Sequence, residues 1–270
     1  MSYSVLMTVY KKEDPLFFDQ AIQSILKQTV VSDDFVLVCD GELTNALNNV
    51  IKKHIDKLRV FRTKKKVGLC EALNTGLKEC RHELVARMDS DDISIPDRCE
   101  RELKVFEENP DLSVISGTVQ EFFGEPKGDG LLKKRVLPET QKELVAFSRR
   151  RNPFNHPAVM FKKSDVIASG GYKDDYFRFE DYDLWIRMFQ NGYKGYNIQD
   201  VILYMRVSSD FYKRRGGKKF AKDTLRFHRN LINTGWSTNR NFITGAVPHA
   251  MVCLMPNSMR KAVYKILRKS

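Results

Sequence analysis

The sequence predicts an α/β fold in which helices flank a mainly parallel sheet, followed by a basic helical extension at the C-terminus. Strand-like and helix-like segments alternate over the first hundred residues, and polar residues follow the predicted strands. The chain has 270 residues, of which 42% are hydrophobic and 30% are charged. This length and composition allow one globular domain with a buried core.

Hydrophobic periodicity defines the elements of this first part. Short runs rich in β-branched and aromatic residues predict strands, and apolar residues at helical spacing predict the helices between them. The elements alternate, beginning and ending with a strand: Tyr3–Val9, Phe17–Gln28, Phe35–Cys39, Asn45–Ile55, Leu58–Phe61, Leu69–Cys80 and Leu84–Met88. Helical crossovers make the strands parallel, so that their carboxyl ends meet at one edge of the sheet.

The second part of the chain is less regular. We predict, in order, a helix, a strand, a loop, a helix, a strand and a buried helix that begins near Glu180: 97–109, 113–122, 124–135, 138–149, 157–161 and 180 onwards. The predicted domain spans residues 1–205, with halves at 1–98 and 99–205, and residues 206–270 form the extension.

Positive charge is concentrated in that extension. The net charge is +12, and residues 205–270 contain 15 Lys and Arg against two acidic residues. The stretch PNSMRKAVYKILRKS, residues 256–270, predicts a short basic amphipathic helix. Neither it nor the apolar, Pro-broken stretch 246–255 reaches the roughly 20 apolar residues that cross a bilayer. Residues 245–270 either contact an anionic membrane surface or pack on the domain. No nucleic-acid motif is present, so we expect no nucleic-acid partner.

The cysteines and the N-terminus point to the cytoplasm. The five cysteines form no close metal-binding pairs, which is typical of reduced core residues. The first apolar run is short, lacks a basic flank before it and is followed by charges, so it does not look like a secretory signal.

An acidic cluster follows the fourth predicted strand, in the stretch LVARMDSDDISIPDR. Asp89, Asp91 and Asp92 lie so close together that their charges repel, unless a divalent cation carried by a phosphate-bearing ligand compensates them. The alternative is a solvated turn that caps the next helix. Thr8, Tyr10 and Asp40 end other strands of the sheet, and together these positions suit a nucleotide pocket. GxGxxG and GxxxxGK[ST] motifs are absent, which argues against dinucleotide oxidoreductases and P-loop enzymes.

The motifs resemble those of family 2 glycosyltransferases, inverting enzymes of the GT-A fold that act in bacterial polysaccharide assembly. The resemblance spans Tyr3 to about Arg187 and rests on YSVLMTVY, SILKQT, VLVCDG, KKVGLCEALNTGL, ARMDSDDISIPDR, NHPAVMF, GGY and FEDYDLWIRM. DGEL and RMDSDD are most similar to the amylovoran-type branch. The family implies transfer of a hexose or N-acetylhexosamine from a UDP-sugar to a glycan acceptor, often lipid-linked. It also implies Mn²⁺ or Mg²⁺ as cofactor, and a cytoplasmic enzyme that can lie on the inner face of the membrane.

The resemblance also implies roles for individual residues of the donor site. Thr8 and Tyr10 would line the uracil site, Asp40 would accept from the uracil imide, and Lys66 would contact the phosphates. Asp91 would bind the metal, and Asp89 the ribose or the metal. The family often has two adjacent aspartates where this chain has Cys39-Asp40, so one polar contact of the usual pair is missing. The halves 1–98 and 99–205 would bind the nucleotide and the acceptor.

The Glu180-Asp181 pair would supply the catalytic base. Asp181 matches the family's base, and Glu180 is the alternative, because the sequence does not define which carboxylate faces the substrate. A dipole-stabilised helix start is the structural alternative for Asp181. His156 is either a site contact or a turn residue.

Three further alternatives stay open. Arg215, in the RRGG segment, either closes over the donor diphosphate or belongs to an exposed basic loop. A sugar-phosphate nucleotidyltransferase also uses aspartates at strand ends, although TVYKKEDP is not the Gly-rich loop of such enzymes. The third is a nucleotide-sugar-binding module that has lost catalysis.

Overall fold

The computed structural model describes residues 1–208 and 216–256, together with residues 259, 260 and 263. Its first four strands are parallel and lie in the order β3-β2-β1-β4. They are β1 (Tyr3–Tyr10), β2 (Asp34–Asp40), β3 (Arg59–Arg62) and β4 (Leu84–Met88), joined by the helices α1 (Pro15–Leu26), α2 (Asn45–Lys53) and α3 (Leu69–Glu79). The predicted alternation of the first hundred residues is confirmed.

The sheet continues beyond β4 with strands from the second part of the chain. Its order there is β4-β8-β6-β9-β5, and β7 pairs with β6. The strands are β5 (Ile93–Ser94), β6 (Leu112–Phe122), β7 (Leu131–Arg135), β8 (Met160–Lys162) and β9 (Lys194–Arg206). Strand β8 is antiparallel to both neighbours, whereas β6 and β9 are parallel. The sheet is therefore mixed, with a parallel nucleus.

Two of the predicted segments have a different conformation in the structure. Residues 131–135 form an edge strand rather than part of a loop, because their backbone pairs with β6 while most of their side chains stay exposed. The predicted strand 157–161 begins as a 3₁₀ turn (His156–Ala158), and extended backbone starts only at Met160.

Helices cover both faces of the sheet. Alternate residues of β1 contribute to two cores, one beneath α1, α2 and α4 (Arg98–Glu108), and one beneath α3 and α7 (Glu180–Gln190). Gly76 lets α3 lie against the strands, since a Cβ there would come within 2.3 Å of Leu6 Cδ1. Two shorter helices are α5 (Gln141–Phe147) and α6 (Lys163–Ala168).

The described part of the C-terminal extension packs on α7. Helix α8 (Lys218–Asn233) is followed by a turn of helix (Asn239–Asn241), a π turn (Phe242–Ala246) and α9 (Val247–Leu254). A third core joins side chains of the α7 region to these helices: Phe179, Tyr182, Ile186, Phe220, Ala221, Phe227, Leu231, Ala250 and Cys253. Contrary to expectation, Pro248 does not break this stretch, because it lies in the first turn of α9, where a missing N–H is tolerated.

Most of the predicted amphipathic helix, including residues 264–270, lies outside the described residues, as do Arg214 and Arg215. Within the described part of the chain, no helix has the length and apolar character needed to cross a bilayer. All five cysteines are buried and free, as expected. The boundaries at 98 and 205 stay predictions.

Candidate active site

The acidic cluster lies where β4 ends. One carboxylate oxygen from each of Asp89, Asp91 and Asp92 can be chosen so that the three lie within 4.8 Å of one another. Asp89 and Asp91 are half-buried and Asp92 is 2% exposed. Three carboxylates at this spacing suit a hard divalent cation with oxygen ligands.

Asp92 differs from the helix cap that the sequence suggested. Its Oδ1 accepts a hydrogen bond of 2.7 Å from the backbone N–H of Arg206, whereas its buried Oδ2 has no hydrogen-bond partner among the described residues. Burial, together with the charges of Asp91 and Asp89, raises the pKa of Asp92 well above its usual range. An unpaired buried oxygen beside two other carboxylates is what a metal ligand looks like without its ion, so the residues fit a divalent cation.

Arg206 holds the acidic turn against the end of β9. Its Nε donates to the backbone carbonyl of Asp91 at 2.8 Å, and its Nη2 donates to Gln20 Oε1 at 2.7 Å. The guanidinium also lies over the rings of Phe17 and Phe122, 3.8 and 4.5 Å from their centroids. The position of Asp91 and Asp92 therefore depends on a residue more than a hundred positions later in the chain.

Two of the predicted nucleotide contacts lie close together: Tyr10 at the end of β1 and Lys66 in the loop before α3. Lys66 Nζ lies 5.3 Å from the ring centroid of Tyr10, which is a cation–π contact. Both Tyr10 and Thr8 are half-buried, on the strand next to β4. An aromatic face beside a lysine suits a base and its phosphates.

The carboxylate of Asp40 forms hydrogen bonds within the protein. It accepts from the backbone N–H of Val67 at 2.6 Å and from that of Gly68 at 3.2 Å, and the residue is 7% exposed. Gly41 has φ +79°, and a Cβ there would lie 2.8 Å from the backbone nitrogen of Lys66. Asp40 and Gly41 therefore hold the loop that carries Lys66, and the uracil contact of Asp40 stays a prediction.

The Glu180-Asp181 pair lies in the first turn of α7, where the helix dipole favours negative charge. Asp181 Oδ2 accepts from Asn152 Nδ2 at 2.5 Å, and its Oδ1 accepts from the backbone N–H of Tyr182 at 2.8 Å. Burial is the largest cause that raises the pKa of both carboxyls, and for Glu180 the charge of Asp181 adds to it. A fixed carboxylate with a raised pKa suits a general base that works near neutral pH.

Arg87 is a buried cation whose charge acts on both acidic groups. The guanidinium is 3% exposed and its Nη2 forms an ion pair with Asp89. Burial raises the pKa values of Asp92, Glu180 and Asp181, and the positive charge of Arg87 offsets part of this increase. The signal for this residue in the sequence is a charge inside the otherwise apolar strand LVARM.

His156 is a neutral, structural neighbour of this region. Its Nε2 lies 3.0 Å from the hydroxyl oxygen of Tyr172, and burial, aided by the charge of Arg87, keeps the pKa of His156 well below its usual range. Tyr172 in turn exchanges two hydrogen bonds with Asn74 of α3. These contacts favour the turn-residue interpretation of His156.

Comparisons with known proteins show which proteins this chain is similar to. The family model described as "Glycosyl transferase family 2" matches residues 4–167. The chain is 40% identical over 265 residues to the Escherichia coli "UDP-Gal:alpha-D-GlcNAc-diphosphoundecaprenol beta-1,3-galactosyltransferase", covering 97% of this chain and 95% of that protein. It is 34% identical to the amylovoran biosynthesis glycosyltransferase AmsE of Erwinia amylovora, over 99% of each chain.

Solved structures with low sequence identity share the fold. The mannosyltransferase PcManGT from Pyrobaculum calidifontis, in complex with GDP-Man and Mn²⁺, superposes with a TM-score of 0.65 at 16% identity, covering 99% of this chain and 80% of that one. S. aureus TarS 1–349, in complex with UDP-GlcNAc, gives a TM-score of 0.63 at 18% identity, covering 91% and 74% of the two chains. These neighbours confirm the predicted GT-A fold.

The two curated relatives match nearly the whole chain at 34% and 40% identity, which is more than a shared fold alone gives. They favour glycosyl transfer over the nucleotidyltransferase alternative. The chain therefore belongs to glycosyl transferase family 2 and is a glycosyltransferase.

Proposed function

We propose that this glycosyltransferase moves a hexose or N-acetylhexosamine from a UDP-sugar to a lipid-linked glycan in cell-surface polysaccharide synthesis, with inversion at the anomeric carbon. The observation that carries the proposal is that the fold holds both a three-aspartate cluster and the partly buried Glu180-Asp181 pair, and that the charge of Arg87 acts on both. The name of the E. coli relative, which gives UDP-Gal as donor and a GlcNAc-diphosphoundecaprenol as acceptor, supports both substrate classes.

The donor half of the site would work through Asp89, Asp91 and Asp92, which would hold Mn²⁺ or Mg²⁺. A bound divalent cation stabilises the negative charge that develops on the leaving diphosphate. Lys66 adds a second positive charge, and Tyr10 offers a ring for stacking the base. Thr8, which lies on β1 with Tyr10, would also contact the nucleotide.

On the acceptor side, the chemistry is a direct displacement. The acceptor hydroxyl oxygen forms a bond to the sugar C1 while the bond from C1 to the diphosphate oxygen breaks, and UDP leaves. The hydroxyl proton passes to the carboxylate of Asp181, with Glu180 as the alternative base. The hydrogen bonds from Asn152 and the Tyr182 N–H hold Asp181 in one orientation, which favours proton transfer along a fixed direction.

Calorimetry tests the donor half. UDP, GDP and dTDP are titrated with and without Mn²⁺ into the wild type and Asp91→Ala. Preferential binding of UDP that needs Mn²⁺ and is lost in Asp91→Ala is expected. Binding that is indifferent to both the metal and Asp91 would contradict the donor assignment. UDP-galactose with a synthetic α-GlcNAc-diphospho-lipid then tests transfer, and NMR of the product reports the anomeric configuration.

A peripheral contact with an anionic membrane is part of the proposal. Three apolar side chains of the π turn and α9 are 58% to 64% exposed: Ile243, Met251 and Leu254. Arginines flank this surface, since Arg150 donates to Asn241 at 2.7 Å and Arg229 lies over the ring of Phe242. Apolar side chains bordered by basic ones are typical of surfaces that bind anionic lipids.

Liposome co-sedimentation tests this contact. The double variant Ile243→Ser/Met251→Ser should bind vesicles containing anionic phospholipid several-fold more weakly than the wild type. Ile55→Ser is the matched control, because Ile55 is also an exposed apolar residue, 56% exposed, at the start of the 3₁₀ turn Ile55–Lys57 that follows α2. Equal loss in both variants, or no loss in either, would contradict a specific contact through the C-terminal helices.

A further inference from the structure

Ser90, the residue between Asp89 and Asp91 in the acidic turn, is fixed by a residue from another part of the chain. Its side chain is 6% exposed, and its hydroxyl Oγ donates a hydrogen bond of 2.8 Å to Oε2 of Glu13. The two residues are 77 positions apart in the sequence. Because Ser90 separates the two aspartates by a single residue, a bond that holds its side chain also limits how Asp89 and Asp91 move relative to each other.

The carboxylate of Glu13 is held at both oxygens. Oε1 accepts from the backbone N–H of Asp14 at 3.1 Å, and Oε2 accepts from Ser90. The backbone N–H of Glu13 donates to the carbonyl of Tyr10 at 3.1 Å, which closes a turn directly after β1. Glu13 is half-buried, and burial is the largest cause that raises its pKa. A side chain fixed in this way is a rigid link between the end of β1 and Ser90.

The segment that carries Glu13 joins the two parts of the predicted donor site. It begins at Tyr10, the ring predicted to stack on the base, and it continues into α1. Helix α1 in turn contacts Arg206, which donates to the backbone carbonyl of Asp91. The acidic turn is therefore held at two places, by Glu13 at Ser90 and by Arg206 at Asp91, and both contacts involve the chain that follows β1.

A similar bond at the other end of β4 shows what is particular to this one. Glu83 lies directly before β4, and its carboxylate accepts from Ser164 Oγ at the exposed surface. The bond between Glu13 and Ser90 is partly buried, and the charge of Asp89 adds to the cost of ionising Glu13 there. A contact that served only to stabilise a loop would avoid this repulsion, whereas a bound cation compensates it.

We propose that Glu13 is a positioning residue for the donor site: through its hydrogen bond to Ser90 it fixes the spacing of Asp89 and Asp91, and thereby the affinity of the site for a divalent cation. The inference rests on the proposed function, which assigns the cation to these aspartates. Residues that orient metal ligands without touching the metal contribute about 10–100-fold to metal affinity. Glu13 acts through one hydrogen bond, so we expect the lower end of this range.

Calorimetric titration of Mn²⁺ at a fixed concentration of UDP measures this contribution. Glu13→Ala and Ser90→Ala remove the same hydrogen bond from opposite sides, so each should weaken Mn²⁺ binding about tenfold. The double variant should bind Mn²⁺ no more weakly than either single variant, because the bond can be lost only once. Additive losses, about a hundredfold in the double variant, would overturn the proposal, since the two side chains would then act independently.

Glu13→Gln separates position from charge. The amide oxygen still accepts from Ser90 Oγ, but the negative charge is gone. A neutral hydrogen bond has roughly half the strength of a charge-assisted one, so Mn²⁺ affinity should fall only about threefold. A loss as large as that of Glu13→Ala would reject the positioning role and indicate that the carboxylate acts on the cation through its charge.

Glu83→Ala and Ser164→Ala are the matched controls, because they break the same kind of bond at the opposite end of β4. They should leave Mn²⁺ affinity unchanged, even where differential scanning fluorimetry of the metal-free variants shows Tm losses similar to those of Glu13→Ala. Equal losses of Mn²⁺ affinity in the controls would show a general effect of stability and contradict the proposal.

Two outcomes separate this inference from the proposed function. Wild-type Mn²⁺ affinity in both Glu13→Ala and Ser90→Ala would reject this inference alone. Absence of Mn²⁺-dependent UDP binding in the wild type would reject the proposed donor site as well. If Glu13→Ala does not fold, Ser90→Ala removes the bond by itself, and its Mn²⁺ affinity decides the question.

Discussion

Asp40 provides the sharpest test of how the donor site is built. Its carboxylate holds the backbone N–H groups of Val67 and Gly68 and thereby the loop that carries Lys66 to Tyr10. Asp40→Asn leaves one acceptor oxygen for two N–H donors and turns an amide NH₂ toward the other. The loop should lose one charge-assisted hydrogen bond and move.

The cost follows from that single bond. A hydrogen bond to a charged group contributes about 1.5–3 kcal/mol. For a protein of this size each kcal/mol changes Tm by roughly 2–4 °C, so Asp40→Asn should lower Tm by about 3–12 °C. Displacement of Lys66 should weaken UDP binding about tenfold, or 1.4 kcal/mol. Gly41→Ala should have a similar effect without changing a carboxylate, because its Cβ would press on the backbone of Lys66.

Differential scanning fluorimetry and calorimetry with UDP and CDP measure both effects. CDP is informative because cytosine lacks the imide N–H that a direct contact with Asp40 would use. If Asp40 holds the loop, Asp40→Asn and Gly41→Ala lower Tm and weaken both nucleotides alike. A wild-type Tm for Asp40→Asn, combined with loss of UDP binding and a gain for CDP, would refute the loop interpretation in favour of the contact that the sequence suggested.

Three further predictions follow from the carboxylates. Asp181→Asn should lower kcat about 10²–10⁴-fold with UDP affinity unchanged, and Glu180→Gln should lower it less; the reverse order in single-turnover assays would make Glu180 the base. Asp92→Asn should raise the Tm of the metal-free protein more at pH 8 than at pH 5. An acid with a raised pKa stabilises the fold below its unfolded pKa near 4, and this contribution is lost progressively as the pH rises through its folded pKa. Equal Tm changes at both pH values would contradict this prediction. EDTA should reduce UDP binding of the wild type to the level of Asp91→Ala, and calorimetry showing no response to EDTA would exclude a role for metal.

The sequence was sufficient where a local pattern determines structure. The βα alternation up to Met88 has clear periodicity, although α1 begins at Pro15, two residues before the predicted start, because Asp14 caps it there. Strands β5, β7 and β9 could not be predicted in the same way. Ile93–Ser94 is too short to show a pattern, and the exposed strand Leu131–Arg135 carries the charges of a loop.

The same distinction between local motifs and tertiary contacts applies to the site. The crowded carboxylates made Asp89 and Asp91 candidates, and the resemblance to the family added the Glu180-Asp181 pair. The contacts that organise them come from distant positions. Arg206 reaches Asp91 and Asp92, and Asn152 reaches Asp181, through tertiary packing that no local spacing encodes.

The bond between Asp92 and Arg206 has a consequence for how the chain acquires its donor site. Strand β5, just after the acidic turn, pairs with β9, so the turn is complete only when residues 203–206 have been synthesised and have docked. Contacts of such long sequence separation form late and slow folding. During translation, a nascent chain that has already formed β1 to β4 still lacks an organised acidic turn. A fragment ending near residue 98 would therefore keep the acidic motif but lose the β9 contacts that hold it in place. A chimera that exchanges donor halves between relatives would also have to include the matching β9.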